Sequence, residues 1–292
     1  MSAAEPAPLP HVRSEVVTAR REMLAQLARS RTFLVGGLVV VWWIFWALVG
    51  DRLTPDDPLA QDGPILTGPS AEHWFGTDQL GRDVLSRVLA GASDVLKVAP
   101  LATLLGIVGG TVVGLVTGYF RGLVDEAASR LIDAVLALPV IVVAVTALVA
   151  LGSSTWTLVV VIGVVFTPIV ARTVRAAVLA ERGLDYVQAA RLRGERAPYV
   201  LFVEILPNVT GPIVVEATVR LGYAIFAVAG LTFLGFGVQP PSPDWSLQIS
   251  DNYTLLNAGT YWWTVLFPAA AIASLVIAVN LVADGLQQVL DR

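Results

Sequence analysis

Between Asp133 and Arg172 the chain runs for 38 residues without a charged side chain. As one helix at 1.5 Å per residue this run would measure about 57 Å, nearly twice a ~30 Å hydrocarbon core. It must fold back, and Gly152-Ser153-Ser154 supplies the turn. Two spans follow, near 134–151 and 155–171. Further uncharged stretches occupy 32–50, 98–120 and 263–283, and a fifth span runs from about 207 to 238, uncharged after Arg220. The pattern is that of six transmembrane helices in an all-α membrane protein. Composition agrees: 55% of residues are hydrophobic and only 14% charged, against roughly 25% charged in soluble domains. Mean hydropathy is +0.72. A chain with so little charge cannot clothe a soluble surface, which excludes disorder, a nucleic-acid binder and most cytosolic enzymes.

The few charges set the orientation. Arg13, Arg20, Arg21, Arg29 and Arg31 lie in the N-terminal tail, Arg121 and Arg130 between spans 2 and 3, and Arg172, Arg175, Arg182, Arg191, Arg193 and Arg196 between spans 4 and 5. The alternate loops hold only Arg52, Arg82 and Arg87 beside eight acidic residues, and 239–262 has no basic residue. Basic residues mark the cytoplasmic side, so both termini are expected inside. Trp156, Trp245, Trp262 and Trp263 fall at the outer ends, where an interfacial aromatic belt would sit. The expected organisation is a cytoplasmic tail over 1–31, a first span at 32–50 and an outer loop at 51–94. A core over 95–285 follows, with a cytoplasmic loop at 172–206, and 286–292 ends the chain inside. The first span reads as retained rather than as a cleavable signal. Residues 14–30 read either as an amphipathic helix on the cytoplasmic face, through Val16, Val17, Met23, Leu24 and Leu27, or as an unstructured basic tail.

Equipment for chemistry is sparse. There is no Cys, which removes disulfides, zinc–thiolate sites and iron–sulfur clusters. His occurs only at His11 and His73, and Lys97 is the sole lysine. Lys97 has no Walker A setting. An intramembrane hydrolase would have to pair Ser93 with Lys97, one helical turn apart. A lone secondary transporter needs carboxylates deep in the spans, and only Glu216 qualifies.

The longest cytoplasmic loop carries the clearest local pattern. Asp185 is an N-cap candidate, Gln188 three residues on can reach back to it in a capping box, and Gly194 suits the left-handed position that ends a helix. The result is a compact two-turn helix with Ala189 and Ala190 on its small face and Arg191 and Arg193 beside them. Such a helix presents a rigid knob to a cytoplasmic partner; the alternative is a basic loop with incidental caps.

These residues, with Leu206-Pro207 beyond them, resemble the EAA loop of ABC importer permeases. Gln188 stands where the family has Glu, and Glu204 where it has an apolar residue. The run from His73 through Gly76-Thr77-Asp78 and Gly81-Arg82-Asp83 to Arg87 resembles the GTD–GRD segment of the dipeptide/oligopeptide/nickel (DppC/OppC) branch. The stretches 233–241 and Asp284-Gly285-Leu286 are similar to that branch too. The likeness extends from about residue 20 to the C-terminus. It implies a non-catalytic subunit of an importer in the bacterial plasma (inner) membrane, with a type I permease-like bundle. The implied partners are a second homologous permease subunit, two cytoplasmic ATPase subunits and an extracytoplasmic substrate-binding protein. ATP and Mg would sit on the ATPase subunits and no cofactor on this chain. The cargo implied is a short peptide, with nickel or another small solute as the alternative.

Other residues bear on mechanism. Gly106, Gly110, Gly114 and Gly118 recur every four positions on one helix face, so another helix can approach closely there, either within the chain or from a second permease. Pro100, Pro139, Pro168, Pro207, Pro212 and Pro268 each sit in or at a span and predict kinks. Glu216 and Arg220, at i and i+4 in span 5, are either a structural ion pair or groups facing a wet translocation path. Asp133 and Lys97 read as snorkelling groups at span ends. Outside, Asp78, Arg82, Asp83 and Arg87 are expected to pin the outer loop, with Asp83 and Arg87 favouring a short helix over the bundle. The stiff, Pro-rich 239–245 segment offers Asp244 and Trp245, with Asp251 beyond, for docking a binding protein. Residues 52–72 offer a rival surface.

Overall fold

The computed structural model describes residues 25–290, which are mainly helical, with a long non-helical loop over 54–83. Helix α1 (Arg31–Leu53) is followed by a loop and by α2 (Val84–Phe120), α3 (Gly122–Leu136), α4 (Val140–Leu151) and α5 (Thr155–Glu181). Next come α6 (Asp185–Leu192), a helical passage over 197–208, α7 (Thr210–Phe233), α8 (Trp245–Asn252) and α9 (Trp263–Leu290). Most of the 14–30 segment lies outside the described residues.

Among the described residues, α1, α2, α5, α7 and α9 are long and apolar enough to cross a bilayer. A sixth crossing exists only if α3 and α4, bent by 88° at their junction, count as one span. The third span expected over 134–151 is broken at Pro139, one of the prolines that predict kinks, and it extends back into α3. Pro139 is the N-cap of α4; it lacks an N–H and its ring crowds the preceding turn, which kinks or breaks a helix, and here the chain breaks. Helix α3 carries Asp125, Glu126, Arg130 and Asp133, which suits a surface rather than lipid. The 12-residue α4 spans about 18 Å by itself. The turn at Gly152 forms as expected, with Gly152 at φ 87° and Ser154 Oγ accepting from Thr157 N–H at 3.1 Å.

Helix α2 starts 14 residues before the expected 98, and its 37 residues reach about 55 Å. Its first turns sit inside a polar cap, where Val84, Val88, Ala90 and Val95 are buried. Its second half carries the glycine stripe, and that stripe meets α5. An added Cβ at Gly106 would lie 2.9 Å from Phe166 Cβ, at Gly110 2.4 Å from Val170 Cβ, at Gly114 2.7 Å from Val174 Cβ and at Gly118 2.8 Å from Val178 Cβ. Gly163 of α5 returns the contact against Leu105 and the Ala102 carbonyl. The seam is therefore intrachain packing, and a second permease does not use it. In lipid no hydrophobic effect drives helix onto helix, so the close packing along this seam is a main source of the pair's association.

Helix α1 lies against α9 and α2. Gly36 faces the Ala278 carbonyl, Gly50 faces Ala90, and Trp43 Nε1–H donates to Ser274 Oγ at 2.9 Å. Its other side exposes Leu34, Val35, Leu38, Val41 and Leu48, as a lipid-facing helix should. Pro100, Pro168 and Pro268 lie inside α2, α5 and α9.

Candidate functional site

Polar structure gathers at two opposed ends and at one point between them. At the first end α6 projects from the α5–α7 connection. The helix begins one residue earlier than a capping box would place it. Leu184 is the N-cap, Asp185 is the first helical residue, and no side chain caps the helix. Gln188 Nε2–H donates to the Gly183 carbonyl at 2.9 Å instead of Gln188 reaching back to Asp185. The expected box is absent because Asp185 is the first helical residue and not the N-cap, the position whose side chain reaches the N2 and N3 N–H groups.

The other end of α6 matches expectation. Gly194 adopts φ 79°, its N–H donates to the Arg191 carbonyl at 3.0 Å, and Glu195 N–H donates to the Ala190 carbonyl at 3.2 Å. That pair of bonds is a Schellman motif. Val187 and Ala190 are fully buried against Val174, Val178, Val200 and Ile205, which fixes the helix on its support. Asp185, Gln188 and Ala189 face outward, and Leu192 is 90% exposed. The Arg191 guanidinium lies 4.6 Å above the Tyr119 ring. Tyr186 O–H donates to Glu181 at 2.6 Å; burial, then the Glu181 carboxylate, pushes this phenol up to about 12. Glu204, out of place for an EAA loop, accepts from Arg193 Nη2 at 3.1 Å. The supporting passage is π-helical over Val200–Ile205, an irregular winding found often at functional sites.

Between the ends, Arg220 Nε–H donates to Glu216 Oε1 at 2.5 Å and the guanidinium lies 5.0 Å from the Tyr223 ring centre. Thr173 Oγ1–H of α5 donates to Glu216 Oε2 at 3.4 Å. The i, i+4 pair thus forms as the spacing predicts. Arg220 also enters the wall of a cavity of about 350 Å³ whose other walls include Ile141, Phe166, Tyr223, Phe226 and Gly230. The cavity is apolar with one guanidinium in its wall, a site able to hold an apolar body and an anionic or carbonyl group. Asp133 pairs with Arg172 rather than merely snorkelling. Lys97 is exposed and Ser93 buried, so the pair does not present a catalytic dyad.

The second end is the cap. Asp78 Oδ1 accepts from Leu80 N–H at 2.8 Å and Arg82 N–H at 3.0 Å, while its Oδ2 accepts from Arg82 Nε–H at 2.7 Å. Asp83 does not pair with Arg87 and begins no separate surface helix. It is the N-cap of α2, with Oδ2 accepting from Ser86 N–H at 2.7 Å. Arg87 is fully buried in the first turns of α2, donating to the Pro58 and Ser242 carbonyls, each at 3.2 Å. The four residues pin the loop, as expected, through bonds the spacing did not reveal.

Two docking candidates are corrected. Asp244 and Trp245 are both 0% exposed, so neither can meet a binding protein. Asp244 is the N-cap of α8, accepting at Oδ1 from Ser246 and Leu247 N–H at 2.9 Å each. Its burial, with Asp94 adding, pushes the carboxyl up to about 6, against the pull of those N–H groups and of Arg87. Trp245 Nε1–H donates to the Val88 carbonyl at 2.6 Å. Asp251 remains partly exposed, 3.5 Å from Arg82 Nη2. Of the four tryptophans expected at an interface, Trp156 and Trp262 are exposed, whereas Trp245 and Trp263 are core residues. The sequence reading missed Trp263 Nε1–H donating to the Thr77 carbonyl at 3.1 Å, the Ser242–Asp94 bond at 2.5 Å and the His73 Nδ1–Asp83 Oδ1 contact at 3.1 Å.

A bundle of long apolar helices, clamped at one end and bearing a rigid exposed helix at the other, defines a multi-pass membrane transport component. The family model described as "Binding-protein-dependent transport system inner membrane component" matches residues 110–292. The chain is 37% identical over 286 residues to the dipeptide transport system permease protein of Alkalihalophilus pseudofirmus, covering 97% of this chain and 93% of that one. It is 36% identical to the di/tripeptide transport system permease protein of Pseudomonas aeruginosa, over 93% and 91% of the two chains. It is 34% identical to the glutathione transport system permease protein of Pectobacterium atrosepticum, over 98% and 95%. The chain belongs to the binding-protein-dependent transport system inner membrane component family.

Proposed function

We propose that this chain is one transmembrane subunit of an ATP-driven importer of short peptides in the bacterial inner membrane. A second homologous permease completes the path, two ATPase subunits dock on the α6 end, and a substrate-binding protein delivers peptide at the cap. The chain itself is not an enzyme, and the nucleotide chemistry needs none of its residues: ATP and Mg belong to the ATPase subunits. The arginine-rich connection that carries α6 supports a cytoplasmic placement of that end and of both termini.

The observation that carries the reading is α6 itself: locked by Val187, Ala190 and the Gly194 turn, yet presenting Leu192 at 90% exposure. A rigid exposed knob transmits force, because the helix cannot yield before the bundle does. Asp185, Gln188, Ala189 and Arg191 surround that knob. Peptide cargo is supported by the names of the three relatives and by the cavity beside Arg220, whose guanidinium suits a peptide carboxylate. Partly exposed Asp251 and the outer 52–72 surface remain for the binding protein.

The test is uptake of radiolabelled dipeptide by cells in which this chain replaces its own deleted copy. Leu192→Asp should abolish uptake and the peptide stimulation of ATP hydrolysis while leaving the amount of chain in the membrane unchanged. Wild-type uptake by this variant, or uptake that persists without any ATPase subunit, overturns the reading.

A further inference from the structure

The cap holds a cluster that transport, as proposed, does not use. Asp56, His73 and Asp83 bring one ligating atom each to within 4.8 Å of one another. His73 Nδ1 lies 3.1 Å from Asp83 Oδ1 and 3.9 Å from Asp56 Oδ2. Asp56 lies at the start of the loop between α1 and α2, His73 seventeen residues further along it, and Asp83 is the N-cap of α2. Imidazole Nδ1 carries at most one proton and serves one strong acceptor. A His73–Asp83 hydrogen bond therefore accounts for one carboxylate and leaves the second, from another segment, facing the same nitrogen.

The backbones behind these groups are fixed. Ser86 joins both aspartates: Asp56 N–H donates to its Oγ at 3.0 Å, and its own N–H donates to Asp83 Oδ2 at 2.7 Å. His73 N–H donates to Ser70 Oγ at 3.1 Å, and the His73 carbonyl accepts from Ser70 and Gly76 N–H at 2.8 and 2.9 Å. The Ser86 N–H on Asp83 Oδ2 is the kind of outer contact that orients a metal ligand, and the backbone bonds hold the other two segments in place. Exposure is graded, with Asp83 and His73 side chains at 4% and 13% and Asp56 at 51%, so the cluster is closed behind and open to water in front. One imidazole nitrogen and two carboxylate oxygens suit zinc and similar first-row divalent ions, at ligand bonds of about 2.0–2.2 Å. Calcium and magnesium prefer oxygen-only shells of about six or more ligands.

We propose that Asp56, His73 and Asp83 form an open divalent-cation site of the zinc class that staples the start of the α1–α2 loop to its later part and to the start of α2. The inference is independent of the transport reading. The full chain, purified in detergent through a histidine-free tag and stripped with chelator, is titrated with ZnCl2 by calorimetry and with CoCl2 by visible absorption. One Zn²⁺ per chain, a rise in melting temperature and cobalt bands of a nitrogen–oxygen site are expected. Asp56→Asn should weaken binding about tenfold or more without lowering the melting temperature in chelator, since its side chain is half exposed. His73→Gln should abolish binding, and Asp83→Asn should weaken it while keeping the helix cap, because Asn caps as well as Asp. His11→Gln should change nothing. Absence of saturable binding, binding that survives both Asp56→Asn and His73→Gln, loss on His11→Gln, or equal competition by CaCl2 overturns the proposal.

Discussion

Gly110 of α2 sits so close to Val170 of α5 that a single added carbon would fall 2.4 Å from Val170 Cβ and 2.9 Å from the Thr167 carbonyl oxygen. Neither helix can move away without losing the Gly106, Gly114 and Gly118 contacts along the same seam. Gly110→Ala should cost about 1–3 kcal/mol by overpacking, read as a lower melting temperature in detergent. Gly37 of α1 is the contrast, with nothing within 4 Å of its added Cβ. Gly37→Ala should be neutral or stabilising, since Ala exceeds Gly in helix propensity by about 1 kcal/mol.

That seam shows how far sequence reasoning reached. Four glycines at four-residue spacing announce a close helix contact, but nothing local says which helix arrives. The same limit explains the cap. Asp83, Arg87 and Asp94 placed the first turns of α2 in the outer loop, with a short separate helix over the bundle at Asp83 and Arg87. In the structure each has a partner outside α2: His73 for Asp83, Pro58 and Ser242 for Arg87, Ser242 for Asp94. The Pro-rich run before Trp245 likewise looked exposed by composition, yet Trp245 bonds a carbonyl 157 positions away. Local signals fared better where the cause is local, as at Gly152, Gly194 and the Glu216–Arg220 pair. The failed capping box is the exception: Asp-x-x-Gln fits the pattern, and one residue of register undoes it.

Asp244 should make the cap sensitive to pH. Its carboxyl is held near 6 from an ordinary 3.8, so the folded chain binds this proton more tightly than the unfolded one. Stability should then fall as pH rises from about 4 to 6, by on the order of 3 kcal/mol, and stay lowered above that range. Asp244→Asn keeps an N-capping oxygen and removes the charge. The variant should melt higher than wild type at pH 7.5 and lose this part of the pH dependence, as measured by thermal unfolding across pH 4–8.

Glu216 and Arg220 separate a structural from a transport role. Each side chain is mostly buried, at 13% and 16% exposure, so removing one partner strands the other. Glu216→Ala or Arg220→Ala alone should cost on the order of 2 kcal/mol, whereas the double variant should recover most of that loss. Melting temperature and peptide uptake are measured on all three. If Arg220 meets cargo in the adjoining cavity, the double variant regains stability and still fails to transport. Uptake that returns together with stability would assign the pair to packing alone.

Gly194 tests whether α6 must be rigid or only present. Its φ of 79° lies in the left-handed region and nothing crowds its added Cβ, so a substitution meets backbone strain and no clash. Gly194→Ala should cost about 1–2 kcal/mol locally, and Gly194→Asn less, because Asn tolerates this conformation. The strain falls on the bonds from Gly194 and Glu195 to the Arg191 and Ala190 carbonyls, which close the last turn of α6. Val187 stays anchored, so the helix should frame its knob loosely rather than unfold. Peptide uptake should therefore fall in the order Gly194, Asn, Ala, Val at this position, while co-purification of the ATPase subunits changes little. Parallel loss of assembly and uptake would mean that α6 serves as a binding surface, and wild-type uptake by Gly194→Val would remove α6 from the coupling route.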